Sequence, residues 1–377
     1  MRQHHKIYPS LAIDDVMRAF TEAPHHKRTP IHFVFGQSSF NPFEFVNIQL
    51  THTMLENSRG YGEIKGLMSL REAICRYYQE SFDYDLSPER IIITDGASGG
   101  LVMAMALLLS TGGELILAES CFPAYPPLAT MFNAQCKFAP LNDNYTFDIE
   151  ALAKLISPKS QAIIVNSPSN PHGSVLNAEE LEAISSLGVP VVFDEVYQTL
   201  SLTDQPVASA IEYSDQHFIV NSFSKSLAVA GFRVGYLIVP EAHTKVMTNL
   251  KAVLNVCTNR PNQVIIRELF NHWDDLLAEH RKMLTKNWQI FKQTANQLGL
   301  KMLLEPQAGI FGMIDTSHTG QDSMQIALEL ARNFALTTAP GIDFQDHDTG
   351  FLRLNFAGAT EQIEPGLNRL STYLAQF

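Results

Sequence analysis

The sequence of 377 residues is long enough for two domains, or for one large domain with a smaller one beside it. Hydrophobic residues make up 45% and charged residues 18%, which is ordinary for a globular protein and argues against a disordered or fibrous chain. The net charge of -12 argues against nucleic acid as a partner, because binding to phosphates needs clustered Lys and Arg.

Cysteine and histidine spacing and the apolar runs bear on metal binding and on the compartment. The four cysteines are Cys75, Cys121, Cys136 and Cys257, without C-x-x-C spacing, and no histidine pair has the i, i+4 spacing of a helical metal site. Residues 1–10 are polar, and the longest apolar run, 101–109, is too short to cross a bilayer. We therefore expect free thiols, no metal, no membrane partner and a cytoplasmic location.

The first elements in chain order alternate short apolar strands with helices. Strands are predicted at 91–94, 114–118, 161–166, 190–194, 218–221 and 234–239, and helices at 101–109 and 178–187. Strands bounded by Gly and Pro and separated by helices indicate βαβ units. The pattern predicts an α/β fold whose large domain has a mostly parallel sheet.

After Pro261 the pattern changes, which indicates a smaller α+β domain. A long amphipathic helix through about residue 298 is followed by predicted strands at 302–304 and 310–314, a helix at 321–333, a strand at 351–355 and a final helix from Thr360. We place the large domain at 43–275 and the small domain at 276–377. Residues 1–42 form an N-terminal arm that we expect to pack on the small domain.

Residues just after two predicted strands suit a phosphate and a reactive lysine. In an open α/β sheet, ligands bind beyond the carboxyl ends of the strands. The small residues of 95–100 precede a helix and leave backbone N–H groups open to an anion, although such turns often serve only packing. Lys225 follows the strand at 218–221. Removal from water makes a lysine amine neutral and able to form an imine with a carbonyl group.

Six short motifs follow one another along most of the chain. They are Tyr61 with Gly66 and Leu70-Arg71, Asn170-Pro171-His172-Gly173, Asp194-Glu195-Val196-Tyr197, Ser222-Phe223-Ser224-Lys225, Gly231-Phe232-Arg233-Val234-Gly235-Tyr236, and Phe351-Leu352-Arg353-Leu354-Asn355-Phe356-Ala357. In type, order and spacing they resemble the motifs of class I/II aminotransferases, which are pyridoxal 5'-phosphate (PLP) enzymes of fold type I in the aspartate aminotransferase superfamily. The resemblance extends from about Gly36 to Ala357.

Catalytic roles for Lys225, Asp194 and Tyr197 are implied by this resemblance. Lys225 would hold PLP as a Schiff base and move the proton between the substrate Cα and the cofactor. Asp194 would keep the pyridine nitrogen protonated, so that the ring draws electrons from Cα; a helix-capping Asp is the alternative. Tyr197 and Asn170 would hydrogen-bond the phenolic oxygen of the cofactor, although Asn170 also suits a turn before Pro.

The resemblance also implies a full set of cofactor-binding residues. They are Tyr61, Gly96, Ala97, Ser98, Phe122, Asn170, Asp194, Tyr197, Ser222, Ser224, Lys225 and Arg233. Ala97 and Ser98 would donate to the phosphate, and Ser222 and Arg233 would complete its cup; a surface ion pair is the alternative for Arg233. Phe122 would stack on the ring, with Tyr125 as the alternative, and either could be a plain core aromatic.

Substrate binding and assembly follow from the same resemblance. Arg353 would bind the substrate α-carboxylate, Asn170 would also contact the substrate, and Gly36 would let it approach closely, although Gly36 also fits a simple turn. Tyr61 would reach the phosphate in the partner subunit, which implies a two-fold homodimer with shared active sites.

The activity implied is transfer of an amino group from an α-amino acid to a 2-oxo acid. A PLP-dependent carbon–sulfur lyase, or another fold type I enzyme acting on an amino acid, is the alternative. A PLP-binding regulator is disfavoured, because the acidic chain has no DNA-binding extension before the enzyme motifs. No clear second arginine for an acidic substrate is present, with Arg260 a weak candidate, so a neutral or aromatic amino acid is preferred.

Overall fold

A computed structural model describes residues 11–24, 28–48, 51–345 and 350–377 of the chain. Its helices are α1 (Ala12–Glu22), α2 (His52–Asn57), α3 (Met68–Phe82), α4 (Gly96–Leu108), α5 (Tyr125–Met131), α6 (Ile149–Leu155), α7 (Ala178–Ser185), α8 (Phe223–Ser226), α9 (Thr244–Asn255), α10 (Arg260–Phe270), α11 (Trp273–Gln297), α12 (Ser323–Phe334) and α13 (Ile363–Leu374). Its strands are β1 (Ile31–His32), β2 (Ile91–Thr94), β3 (Gly113–Ala118), β4 (Ala134–Ala139), β5 (Ser160–Asn166), β6 (Val191–Asp194), β7 (Phe218–Ser222), β8 (Gly235–Ile238), β9 (Phe311–Asp315), β10 (Leu336–Thr337), β11 (Ala339–Pro340) and β12 (Phe351–Asn355).

Seven strands form the central sheet, in the order β2-β8-β7-β6-β5-β3-β4. Neighbours from β7 to β4 pair in parallel, whereas β8 runs antiparallel to both β2 and β7. Side chains alternate across the sheet, so that Ile91 and Ile93 enter the core on one face and Ile92 the core on the other. The predicted α/β class with a mostly parallel sheet is confirmed.

A second, antiparallel sheet lies near the C-terminus in the order β11-β12-β9. It shares an apolar core with α11, α12 and α13, to which Phe291, Leu330 and Leu367 contribute. The chain before the central sheet joins this region, because β1 pairs in parallel with β10 and α1 contacts α12. The domain limits at 42/43 and 275/276 stay a prediction, and α11 runs across the second of them.

Two predicted elements near the C-terminus are wrong. The strand at 302–304 is reduced to an isolated bridge between Met302 and Ile314. The single helix predicted from 261 to 298 is split into α10 and α11, because His272 has a non-helical ψ of 24°. Asp274 and Asp275 then occupy the first turn of α11, where carboxylates favour a new helix start.

Several elements carried too weak a local signal to be predicted, among them α1, α3, α9 and β4. Within the described ranges, no helix has the length and apolar character that a bilayer crossing requires.

Candidate active site

A cavity of about 310 Å³ lies beyond the carboxyl ends of the parallel strands. Asn166, Asp194 and Ser222, the last residues of β5, β6 and β7, line it, and Arg353 of β12 closes it from the smaller sheet. Twelve of the predicted site residues line this cavity: Gly36, Ala97, Ser98, Phe122, Asn170, Asp194, Tyr197, Ser222, Ser224, Lys225, Arg233 and Arg353. The topology therefore brings together residues that are up to 317 positions apart in the sequence.

Gly96 and Tyr61 are the two predicted site residues outside that lining. Gly96 has a φ of +71°, and a Cβ there would meet Arg233 Nη2 at 2.5 Å, so the glycine lets the guanidinium approach the start of α4. Tyr61 is 85% exposed. Tyr61 does not line the cavity of its own subunit.

The start of α4 forms one end of the cavity and suits an anion. No side chain caps this 13-residue helix, so its first N–H groups are open and its positive pole faces the cavity. Ser222 Oγ lies 2.8 Å from Ser224 Oγ, and both side chains line the cavity with Arg233. A Cβ on Gly235 would meet Ala97 N at 2.9 Å, so glycine is needed for β8 to pass beside the helix start.

Lys225 lies in the middle of the cavity on the short helix α8. Its Nζ donates a hydrogen bond to the carbonyl of Gly36 at 2.5 Å. Burial lowers the pKa of Lys225 to about 8, the positive charges of Arg353 and Arg233 act in the same direction, and Asp194 opposes them. About one tenth of this amine is then neutral at pH 7, far more than for an ordinary lysine, which makes it a nucleophile for carbonyl groups.

Asp194 ends β6 and is only 4% exposed. Its Oδ2 accepts from the Tyr125 hydroxyl at 2.8 Å and its Oδ1 from the Val196 N–H at 3.3 Å. Burial raises the pKa of Asp194 to about 6, against the effect of these hydrogen bonds and of Lys225. Asp194 caps a turn rather than a helix, and its carboxylate is available to a cationic partner in the cavity.

Two aromatic residues were alternatives for contact with the cofactor ring, and the structure gives them different surroundings. Tyr125 is buried, and its hydroxyl is committed to Asp194. Phe122 is half-buried, lines the cavity and packs edge-on against Tyr125 at a centroid distance of 5.5 Å. Phe122 therefore keeps a face for a planar ligand, and Tyr125 supports the carboxylate.

Arg353 on β12 is buried and lines the same cavity as Arg233. Its Nη1 donates to Asn170 Oδ1 at 2.8 Å and its Nη2 to the Val34 carbonyl at 2.7 Å, while Nε has no hydrogen-bond partner in the described part of the chain. Its Cζ lies 3.9 Å from the ring centroid of Phe311 and 4.9 Å from that of Phe344.

The guanidinium of Arg353 has no carboxylate of the fold as an ion-pair partner among the described residues. Burial lowers its pKa to about 10, opposed by Tyr197 and Asp343, so the group stays cationic at neutral pH. A buried cation without a paired anion is a ready site for a ligand carboxylate.

Sequence reasoning missed part of the lining, namely Leu11, Ile13, Val34, Phe35, Gln37, Asn166, Phe311, Asp343 and Phe344. Asn166 could have been found, since it ends a predicted strand, and its Oδ1 accepts from the Asn170 N–H at 2.7 Å. The others lie in the N-terminal arm and in the C-terminal part of the chain, where no local motif marks them.

Comparison with known proteins decides the family. Residues 33–370 match the family described as Aminotransferase class I and II. The chain belongs to the class I and II aminotransferases. These enzymes depend on PLP, so PLP is the cofactor and the activity class is transfer of an amino group.

Individual relatives agree with this family assignment. Valine–pyruvate aminotransferase of Mycobacterium tuberculosis is 28% identical over 376 residues, covering 97% of this chain and 96% of that protein. The (5-formylfuran-3-yl)methyl phosphate transaminase of Methanocaldococcus jannaschii is 25% identical and covers 97% of each chain. A crystal structure of an aminotransferase from Mycobacterium tuberculosis superposes with a TM-score of 0.91 at 26% identity, covering 100% of both chains.

Proposed function

We propose that this aminotransferase moves the amino group of an α-amino acid to a 2-oxo acid, with PLP carried on Lys225 as a Schiff base. The observation that carries the proposal is a single cavity with three complementary groups. The Lys225 amine with its lowered pKa, the buried Asp194 carboxylate and the unpaired Arg353 guanidinium all line it. They provide an attachment point, a partner for a cationic ring nitrogen and a carboxylate grip.

The residues present fit the phosphate of PLP. The open start of α4, the Ser222 and Ser224 hydroxyls and the Arg233 guanidinium surround one end of the cavity. Gly96 and Gly235 stand where a Cβ would collide with Arg233 and with the helix start. A site shaped by two such glycines suits a dianion held by backbone N–H groups and one arginine.

Asp194 supports the electron-withdrawing chemistry of the cofactor. Bound PLP supplies an electron sink for the charge that develops at the substrate Cα. An ionised Asp194 would hold the ring nitrogen in its protonated form, and the Tyr125 hydroxyl fixes the carboxylate by its hydrogen bond. Asn170 and Tyr197 line the same cavity and are proposed partners for the phenolic oxygen.

Lys225 and Arg353 would act on the substrate. We assign to Lys225 the removal of the Cα proton, since its amine is neutral for part of the time at neutral pH and lines the same cavity as Asp194 and Arg353. Arg353 would hold both carboxylate oxygens, with Asn170 keeping the guanidinium plane in place through its Oδ1. Gly36 keeps the approach to Lys225 open, because a Cβ there would lie 3.4 Å from Nζ.

A homodimer with shared active sites is part of the proposal. Tyr61 at 85%, Val253 at 83% and Leu254 at 48% exposure are large apolar side chains on the surface of the described chain. A second copy that covered them would remove this area from water, and Tyr61 would then face the phosphate end of the partner's cavity.

Half-reactions test this function. A transaminase converts the bound cofactor to its amine form with an amino acid alone, and a 2-oxo acid restores the starting spectrum. A carbon–sulfur lyase releases ammonia and pyruvate from cystathionine without any 2-oxo acid. Ammonia release in the absence of an acceptor, with no spectral cycle for any common amino acid, would replace the proposal by the lyase alternative.

A further inference from the structure

The charged groups that line the cavity, among the residues the structure describes, are all committed to other roles and leave no cation for an acidic substrate side chain. Among the described lining residues the charged ones are Asp194, Lys225, Arg233, Asp343 and Arg353. On the proposed function, four of them serve the cofactor and the α-carboxylate. The fifth, Asp343, is committed within the protein, because Oδ1 accepts from the Ala12 N–H at 2.5 Å and Oδ2 from the Ile13 N–H at 3.0 Å.

Asp343 acts as the N-terminal cap of α1 from a distance of more than three hundred residues. The local N-cap residue, Leu11, has no side chain able to accept a hydrogen bond, and none is formed. A carboxylate at the helix start satisfies two free N–H groups and interacts favourably with the helix dipole. The cap therefore fixes where Leu11 and Ile13 lie, and both of them line the cavity.

The residues next to Asp343 connect this helix start with the large sheet. The Phe344 carbonyl accepts from the Cys121 N–H at 2.9 Å, and Phe122 and Pro123 follow directly. Three distant segments are thus joined by hydrogen bonds, and each contributes apolar residues to the lining of the cavity. We call these residues, Leu11, Ile13, Phe122, Pro123 and Phe344, the apolar wall.

The apolar wall adjoins the place where the substrate would be held. The Phe344 ring centroid is 4.9 Å from Arg353 Cζ. A substrate with its carboxylate on Arg353 and its Cα facing Lys225 would have Phe344, and with it the apolar wall, within reach of its side chain. An acidic side chain would meet apolar carbon there and lose its hydration, and like-charge repulsion would add to this cost whenever Asp343 is ionised.

We propose that the substrates are amino acids with uncharged, apolar side chains, and that Asp343 is a positioning residue that sets this specificity by holding Leu11 and Ile13 in the apolar wall. This inference rests on the proposed function and specifies its substrate class. Arg260, the candidate for an acidic substrate, does not line the cavity of its own subunit and lies instead beside Gly62.

The first experiment compares half-reaction kcat/KM values for leucine, phenylalanine, alanine, aspartate and glutamate on the PLP-loaded protein. We expect kcat/KM for leucine or phenylalanine to be on the order of a hundredfold or more above that for the two acidic amino acids. It should also be at least about tenfold above that for alanine. Equal kcat/KM values for the acidic amino acids and leucine would overturn this inference, whereas the proposed transamination would still stand. A loss of that acidic activity in Arg260→Leu would then assign recognition to the partner subunit. No reaction with any amino acid would overturn the proposed function itself.

The second experiment uses Asp343→Asn with Asp14→Asn as its matched control. Both changes remove one carboxylate near the first turn of α1, but Asp14 is exposed and does not line the cavity. We expect Asp343→Asn to lower the leucine-to-alanine ratio of kcat/KM about tenfold, mainly through a higher KM for leucine. Asp14→Asn should keep the wild-type ratio. An unchanged ratio in Asp343→Asn, or an equal loss for leucine and alanine through kcat, would remove Asp343 from specificity.

Discussion

The Nζ atom of Lys225 donates a hydrogen bond to the carbonyl of Gly36, although 189 positions separate the two residues. This contact ties the N-terminal arm to the reactive amine and places that amine in a buried site. Burial and two nearby arginines lower the pKa of Lys225 to about 8. If Lys225 carries the cofactor, as we propose, the protonation state of its amine should control how fast PLP is taken up.

Cofactor uptake by the PLP-free protein should accelerate with pH around 8. Only the neutral amine attacks a carbonyl, and its share rises from about one tenth at pH 7 to about nine tenths at pH 9 when the pKa is near 8. The rate constant, followed by stopped-flow absorbance, should therefore rise about tenfold over this range. A profile still rising steeply near pH 10.5, the ordinary pKa of lysine, would contradict a buried amine.

The lowered pKa of Lys225 should also make the stability of the PLP-free protein depend on pH. Between pH 8 and 10.5 the unfolded chain binds more protons at Lys225 than the folded chain does. The contribution of this residue to the free energy of unfolding of the PLP-free protein should therefore increase as pH rises through that window. Lys225→Met should lose this contribution, which chemical denaturation at several pH values would measure.

Asp194→Ala should keep PLP but lose most of its activity. A preorganised charged partner at a reacting centre contributes about 3–4 kcal/mol, so kcat should fall at least about a hundredfold. Tyr125→Phe is the matched milder change, because it removes one hydrogen bond to that carboxylate. The rate should fall only about two- to tenfold, in line with about 0.5–1.5 kcal/mol for a hydrogen bond. Near-normal turnover of Asp194→Ala would exclude this residue from the mechanism.

Arg353→Lys should weaken the amino acid and the 2-oxo acid alike, since both carry the same carboxylate. A charge-assisted hydrogen bond contributes about 1.5–3 kcal/mol, so kcat/KM should drop roughly ten- to hundredfold for both, with the cofactor spectrum unchanged. Arg369→Lys is the control, because Arg369 binds backbone carbonyls of Phe334 and Ala335 away from the cavity. Reduced thermal stability with unchanged half-reactions in Arg353→Lys would make Arg353 a structural residue.

Tyr61 should act in the active site of the partner subunit. Inactive Tyr61→Phe and Lys225→Ala homodimers, mixed and allowed to exchange, would give heterodimers in which one of the two sites carries neither change. We expect activity to be partly restored in proportion to the heterodimer fraction measured by native mass spectrometry. Exchange without any gain in activity would refute the shared site.

The positions of Asp194 and Lys225 at the cavity could be predicted from the sequence because both residues lie at or just after the ends of strands. Asp194 ends β6, and Lys225 comes just after β7, so that local patterns and the parallel sheet suffice to bring them together. The reversed direction of β8 was not predicted, since an apolar run of four residues carries no information about its neighbours.

The apolar wall could not be predicted from the sequence, because its residues are brought together by contacts between distant segments. It depends on the hydrogen bonds from Ala12 and Ile13 to Asp343 and from Cys121 to Phe344, all between distant segments. No periodicity or motif marks Leu11 or Phe344, because their neighbours in the fold are not their neighbours in the chain. Contacts of this kind are set by tertiary packing alone.

Reduction of the PLP-loaded protein with borohydride, followed by proteolysis and mass spectrometry, tests the assignment of Lys225 most directly. Reduction fixes the imine as a stable amine, so the cofactor mass stays on the lysine that carried it. We predict that the label is found on the peptide containing Lys225 and is absent from the Lys225→Ala protein. The sharpest comparison is Lys251, which is also buried with a lowered pKa but donates to Thr258 Oγ1 and does not line the cavity. A label on Lys251 or any other lysine, or an undiminished label in Lys225→Ala, would contradict the account.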